Sequence, residues 1–220
     1  MAVVMITGSR GGFGRALTRA FADAKYDLIL HSRTKAPSLA IKSKCKFVVG
    51  NLHESRTVGK LNKAATEWGL DVLVNNAAHR PPTGPFWGMP RDEVWDSVHG
   101  VGGLFDLTAE VWPLLKTSRG CVVNIGSIGA KIATDGEGVY GAAKAAVAQF
   151  SKGIQFEATR CDVRVLLVQL GAMNTGMAEG RPDQDKLINA DEAARAVCSM
   201  CEIRFDTIRM PEVVLERKNY

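Results

Sequence analysis

The chain has 220 residues, 46% hydrophobic and 23% charged, with a formal net charge of +5, the make-up of an ordinary globule that can bury a full core in one domain. Its basic residues are scattered, with no cluster interleaved with aromatics, which excludes a nucleic-acid groove and leaves a phosphate-rich small molecule as the anionic partner. Five cysteines (Cys45, Cys121, Cys161, Cys198, Cys201), odd in number and irregularly spaced, exclude a disulfide framework and lead us to expect a reducing, cytoplasmic compartment.

Met1-Ala-Val-Val-Met-Ile-Thr-Gly8 has no basic lead-in and few apolar residues before its glycine break, so it reads as neither a secretory signal nor a membrane span. Val3–Ile6 predicts a short strand, and the apolar spacing of Phe13, Leu17, Ala20, Phe21 and Ala24 predicts a helix after it. The loop between them, Thr7-Gly-Ser-Arg-Gly-Gly-Phe-Gly14, thus joins a strand to a helix. Glycines in that position let the backbone approach a pyrophosphate at the positive end of the helix.

Leu28-Ile-Leu30, Phe47-Val-Val49, Val72-Leu-Val74, Val122-Val-Asn-Ile125 and Val163-Arg-Val-Leu-Leu-Val168 are further short apolar runs without clean alternation. They have the pattern of strands buried on both faces. Helix-like segments separate most of them, and Val213–Leu215 predicts a last strand. The alternation predicts an α/β fold, a doubly wound parallel β-sheet with helices on both faces, as one domain over residues 1–220. The Pro-rich stretch Arg80–Pro90 follows a strand and is read as a loop over the sheet's C-terminal edge, where ligands bind in such folds.

Tyr140 and Lys144 are four residues apart, which on a helix puts a phenol and an ammonium on one face, one turn apart. A neighbouring cation favours the phenolate, so Tyr140 is a candidate general acid/base. Taken alone, the pair also suits an exposed lysine beside a half-buried aromatic. Ala142, Ala143, Ala145, Ala146 and Ala148 on the same run leave room for another helix. Cys198-Ser-Met-Cys201 falls late in a predicted helix without a second pair at zinc spacing; it is read as packing, and no metal is expected.

Thr7-Gly8-x-x-x-Gly12-x-Gly14, Asn75-Asn-Ala-Ala78, and Ser127 thirteen residues before Tyr140-x-x-x-Lys144 together resemble the short-chain dehydrogenase/reductase family of the classical type, in an unusually short form. The resemblance covers residues 1 to about 175. It implies a Rossmann-type fold and a carbonyl–alcohol oxidoreductase that uses a nicotinamide cofactor. Ser127 would hold the substrate oxygen, Tyr140 would exchange its proton, and Lys144 would support the phenolate and bond the nicotinamide ribose. Cofactor contacts would come from Gly8, Ser9, Arg10, Gly11, Gly12, Phe13 and Gly14, from Asn76, Ala77 and Ala78, and from Gly171, Met173 and Thr175. Leu170 stands where the family has a proline before this last segment.

At the end of the second strand, Ser32, Arg33 and Thr34 replace the acidic residue that favours NAD. With Arg10 they suit a 2'-phosphate, so NADP(H) is preferred and NAD(H) admissible. Asn51-Leu52 would border the adenine. Aligning Gly103 and Phe105 on the family's Val-Asn-x-x-Gly-x-Phe pattern puts Gly100 in place of a fourth catalytic residue, an asparagine. The adjacent His99 is expected to be a partly buried helix residue. The segments near 79–91 and 172–189 are expected beside the substrate, the second as a short lid, with only a short helix between Ser32 and Phe47. Phe86, Trp87, Trp95 and Met177 are read first as core. The partners expected are a small carbonyl or alcohol and further copies of the chain, as a homodimer or homotetramer, with no membrane. The alternative is a catalytically weak NADP(H)-binding sensor on the same scaffold.

Overall fold

The computed structural model describes residues 1–34, 41–175, 183, 186–204 and 208–218. Its first strand, β1 (Val3–Ile6), has side chains that alternate between two buried layers, as the period of two in a strand requires. Val4 and Ile6 face one hydrophobic cluster and Val3 and Met5 the other. α1 (Gly12–Asp23) then buries Phe13, Leu17, Ala20 and Phe21, the stripe read from the sequence. Each such large apolar side chain contributes about 1.5–3 kcal/mol on burial.

The remaining elements are β2 (Asp27–Ser32), β3 (Cys45–Val49), α2 (Ser55–Trp68), β4 (Val72–Asn75), α3 (Arg91–Ser118), β5 (Cys121–Ile125), α4 (Gly138–Ala158), β6 (Arg164–Leu170), the short strands β7 (Met173–Asn174) and β8 (Ile188–Asn189), α5 (Ala190–Glu202) and β9 (Glu212–Leu215). Seven strands form one sheet in the order β3-β2-β1-β4-β5-β6-β9, every pairing parallel. α1 and α5 pack on one face, and α2, α3 and α4 on the other. The chain leaves β1 toward β2 on one side and reaches β4 on the other, so the order reverses there and a crevice opens at the strands' C-terminal ends.

Three expectations are corrected. β3 is an edge strand, so Phe47 and Val49 are 46% and 43% exposed instead of buried on both faces. Phe86, Trp87 and Trp95 are exposed and not core, because the segment of Phe86 and Trp87 lies outside the helix–sheet layers and Trp95 lies off the buried stripe of α3. His99 is exposed too, stacked on Trp95 with ring centroids 5.8 Å apart. Met177, the helix expected after Ser32, and most of the lid lie outside the described residues. Cys198 and Cys201 are buried on α5, as the packing reading has it.

Candidate active site

The crevice holds a cavity of about 1010 Å³ that runs from the glycine loop to Tyr140. Gly8 has φ +66°, and a Cβ there would lie 2.8 Å from Ala77 Cα, so only glycine fits without strain. A Cβ on Gly14 would lie 2.1 Å from the Gly8 carbonyl oxygen, which keeps the loop folded onto the helix that it opens. Gly11 is the N-cap of α1 and brings no side chain to the helix end. The first-turn N–H groups therefore have no side-chain cap and are left to the cavity, a geometry that suits an anion.

Thr7 Oγ1 accepts the N–H groups of Asn76 and Ala77, each at 3.0 Å, and Asn76 Nδ2 donates to the Thr7 carbonyl at 2.8 Å. These bonds clamp the ends of β1 and β4. Gly8, Arg10, Gly11, Gly12, Phe13 and Gly14 line the cavity with Asn76, Ala77 and Ala78. Ser9 does not. Its N–H and Oγ both donate to the His31 carbonyl, at 2.9 and 3.0 Å, so its side chain ties the loop to β2 and is turned away from any ligand.

At the β2 end of the cavity stand Ser32, Arg33, Asn51 and Leu52, as expected, joined by Thr34, His53 and Asp96. Arg10 Nη1 donates to Thr34 Oγ1. Arg33 Nη1 is 3.7 Å from Asp96 Oδ2, with both side chains well exposed. Asp96 comes from α3, and its partnership with Arg33 had no local sequence signal. A Cβ on the nearby Gly100 would meet nothing within 4 Å, so the place of the family's asparagine is open.

At the other end Ser127, Tyr140 and Lys144 face the same cavity, with Gly171, Met173 and Thr175 on its wall. Ser127 caps a 3₁₀ turn: its Oγ accepts the Gly129 N–H at 3.1 Å, and its own N–H donates to Gln169 Oε1 at 2.8 Å. Tyr140 and Lys144 lie one turn apart on α4. Lys144 Nζ donates to the Ile125 carbonyl at 2.8 Å and is 6.0 Å from the Tyr140 ring centroid. Burial pulls the Lys144 pKa down to about 8, because desolvation disfavours the charged form. Beneath the site, Asn75 Nδ2 donates to Thr108 Oγ1 and Asn124 Oδ1, and Asn124 Nδ2 donates to Ser151 Oγ, all buried. This network joins β4, β5, α3 and α4 through residues whose pairing the sequence does not signal.

A sequence model described as short chain dehydrogenase matches residues 2–186. The chain belongs to the short chain dehydrogenase family. Short-chain dehydrogenase/reductase family 9C member 7 of Bos taurus is 30% identical over 183 residues, covering 79% of this chain but 58% of its own length, so the match spans little more than half of that relative. Sulfoacetaldehyde reductase 2 of Chromohalobacter salexigens is 32% identical over 189 residues, covering 80% of this chain and 73% of its own.

Solved short-chain dehydrogenases share the fold. The 3-ketoacyl-(acyl-carrier-protein) reductase of Brucella melitensis complexed with NADH superposes with a TM-score of 0.89 at 22% identity, over 97% of this chain and 96% of that one. The alcohol dehydrogenase of Thermococcus sibiricus complexed with 5-hydroxy-NADP gives 0.87 at 22%, over 99% and 97%. The architecture of this short-chain dehydrogenase is thus the single-domain Rossmann type. Among the described residues, no helix is long and apolar enough to cross a membrane.

Proposed function

We propose that this short-chain dehydrogenase interconverts a ketone or aldehyde and the corresponding alcohol, with NADP(H) preferred over NAD(H). The observation that carries the reading is that Ser127, Tyr140 and Lys144 line one cavity with the glycine loop and the uncapped end of α1. That cradle fits a dinucleotide. Backbone N–H groups from Gly12 to Gly14 would hold the pyrophosphate. Arg10, Ser32 and Arg33 would hold the 2'-phosphate, Asn51 and Leu52 the adenine, and Asn76, Ala77 and Ala78 the adenosine ribose. Gly171, Met173 and Thr175 would hold the carboxamide end. When bound, the cofactor supplies or accepts the hydride.

The protein's share is placement and proton transfer. Ser127 Oγ already accepts one hydrogen bond, so its own proton is available to the substrate oxygen. Tyr140 gives or takes the proton on that oxygen. Lys144 would bond the nicotinamide ribose, and its charge would steady the phenolate. Residues 79–91, and the described part of 172–189, lie on the substrate side. We assign the working enzyme to the cytoplasm, as a homodimer or homotetramer, without metal.

Fluorescence titration with NADPH and NADH, followed by nicotinamide absorbance against ketones, aldehydes and diketones, tests the reading. Tight NADPH binding with consumption on a carbonyl supports it. A second reading, a catalytically weak NADP(H) sensor, rests on the open space at Gly100. Tight binding without consumption across the panel would favour it.

A further inference from the structure

Arg80 does not point into open water. Its guanidinium stands 5.1 Å from the centroid of the Tyr140 ring, its side chain is 34% exposed, and it lines the cavity with Ser127 and Tyr140. The loop that carries it is held at three places. Arg80 Nη2 pairs with Glu137, the N-cap residue of α4. The Gly84 N–H donates to the Gly136 carbonyl at 3.1 Å. His79 Nε2 bonds Glu93 on α3. A guanidinium fixed in this way loses little further freedom when it takes a ligand.

The arginine fork has five N–H donors. Among the described residues one Nη2 donor has a protein hydrogen-bond partner, which leaves the second Nη2 donor and, parallel to it, that of Nε or Nη1. Such a fork fits a carboxylate or sulfonate with two parallel bonds.

The charges around the cavity point the same way. Among the described residues, Arg10, Arg33, Arg80, Lys144 and Arg217 line it against Asp96 and Glu137. Arg10 and Arg33 are at the end assigned to the 2'-phosphate, Lys144 is assigned to the ribose, and Arg217 is bonded to Asp183 at 3.0 Å. Arg80 stands beside the reacting phenol, where the nicotinamide brings no anion, and its single bond to Glu137 leaves donors to spare.

We propose that Arg80 is the substrate-recognition residue, and that the substrate is a short carbonyl compound or alcohol with a carboxylate or sulfonate close to the reacting carbon. The inference rests on the oxidoreductase reading of this site. The short spacing follows from geometry: the cation lies over the ring whose oxygen exchanges the proton, so anion and reacting oxygen must fit within a side chain's breadth. A long apolar carbonyl would instead cover the Arg80 donors that Glu137 does not take and leave them without an acceptor. Glu137 keeps that charge paired while no ligand is present.

Calorimetric titration of the full chain tests this without turnover. Malonate and oxamate are compared with malonamide and oxamide at fixed ionic strength, with and without NADPH. The charged ligands are expected to bind at least about tenfold more tightly than the neutral ones. Arg80→Met is expected to erase that difference and Arg80→Lys to keep part of it. Glu137→Gln retains an acceptor for Arg80 but removes the opposing charge, so it is expected to tighten anion binding. Equal binding of acid and amide, or discrimination that survives in Arg80→Met, would overturn the proposal. Should Arg80→Met fail to fold, unchanged anion affinity in Glu137→Gln would overturn it instead.

NADPH consumption with 2-oxo and 3-oxo acids against their methyl esters separates the two readings. A preference for the acids that depends on Arg80 supports both. Equal turnover of acids and esters overturns the anion assignment and leaves the oxidoreductase standing. Arg80-dependent anion binding with no consumption on any carbonyl supports the anion site and overturns the reading beneath it.

Discussion

The Lys144 ammonium donates to the Ile125 carbonyl at 2.8 Å from a side chain only 7% exposed. α4 thus presents a cation to the end of β5, where one neutral acceptor replaces a full shell of water. Burying a charge in this way lowers stability.

Lys144→Met is expected to make the cofactor-free protein more stable by about 1–3 kcal/mol at pH 7, after allowance for the lost bond to Ile125. The folded pKa of Lys144 is about 8, against an ordinary lysine value of 10.5 in the unfolded chain. Between those values the unfolded chain binds more protons than the folded one, so the wild type gains stability as pH rises. The advantage of the variant is present in full below pH 8 and fades toward pH 10.5. Urea denaturation across that range checks it; a difference that does not change with pH would refute the buried-charge account.

Tyr140→Phe removes only the ionisable oxygen. Turnover is expected to fall by about 10²–10⁴-fold while NADPH affinity stays nearly constant. Steady-state kinetics beside a fluorescence titration will show whether the two effects separate; unchanged turnover would end the proton-transfer assignment.

Arg33→Ala is expected to weaken NADPH binding by roughly 1.5–3 kcal/mol, the size of a lost charge-assisted bond, with little effect on NADH. The exposed contact of Arg33 with Asp96 contributes less than about 1 kcal/mol to folding, so Asp96→Asn should leave stability unchanged. Equal losses for NADPH and NADH in Arg33→Ala would remove the 2'-phosphate role.

Gln169 is fully buried and accepts the Ser127 N–H at 2.8 Å. Gln169→Leu leaves that donor unpaired, at a cost of about 1–3 kcal/mol, and frees the turn that presents Ser127. Lower stability in urea together with a lower kcat is the expected result, and an unaltered kcat would show that Ser127 is held by its 3₁₀ turn alone.

The glycine loop was legible because its chemistry is local: a strand, a turn and a helix follow one another in one short stretch, and the glycines mark the turn. Tyr140 and Lys144 were legible for a similar reason, since helical spacing alone sets their common face. Ser9 was misjudged because loop composition does not say which side chain turns back to a neighbouring strand. Phe86, Trp87 and Trp95 were misjudged because aromatic character argues for burial, whereas the loop of the first two has no layer above it and Trp95 lies off the buried stripe of α3.

The sequence by itself determined the order of strands and helices, the phosphate-type turn after β1, and the phenol–ammonium pair on α4, all products of neighbours in the chain. Only the tertiary structure decided that Gln169 steadies Ser127, that Asp96 meets Arg33, and that Glu137 holds Arg80 over Tyr140. Each of those pairs joins residues far apart in the chain, and they meet only because a parallel sheet brings the C-terminal ends of its strands, and the loops that follow them, to one edge.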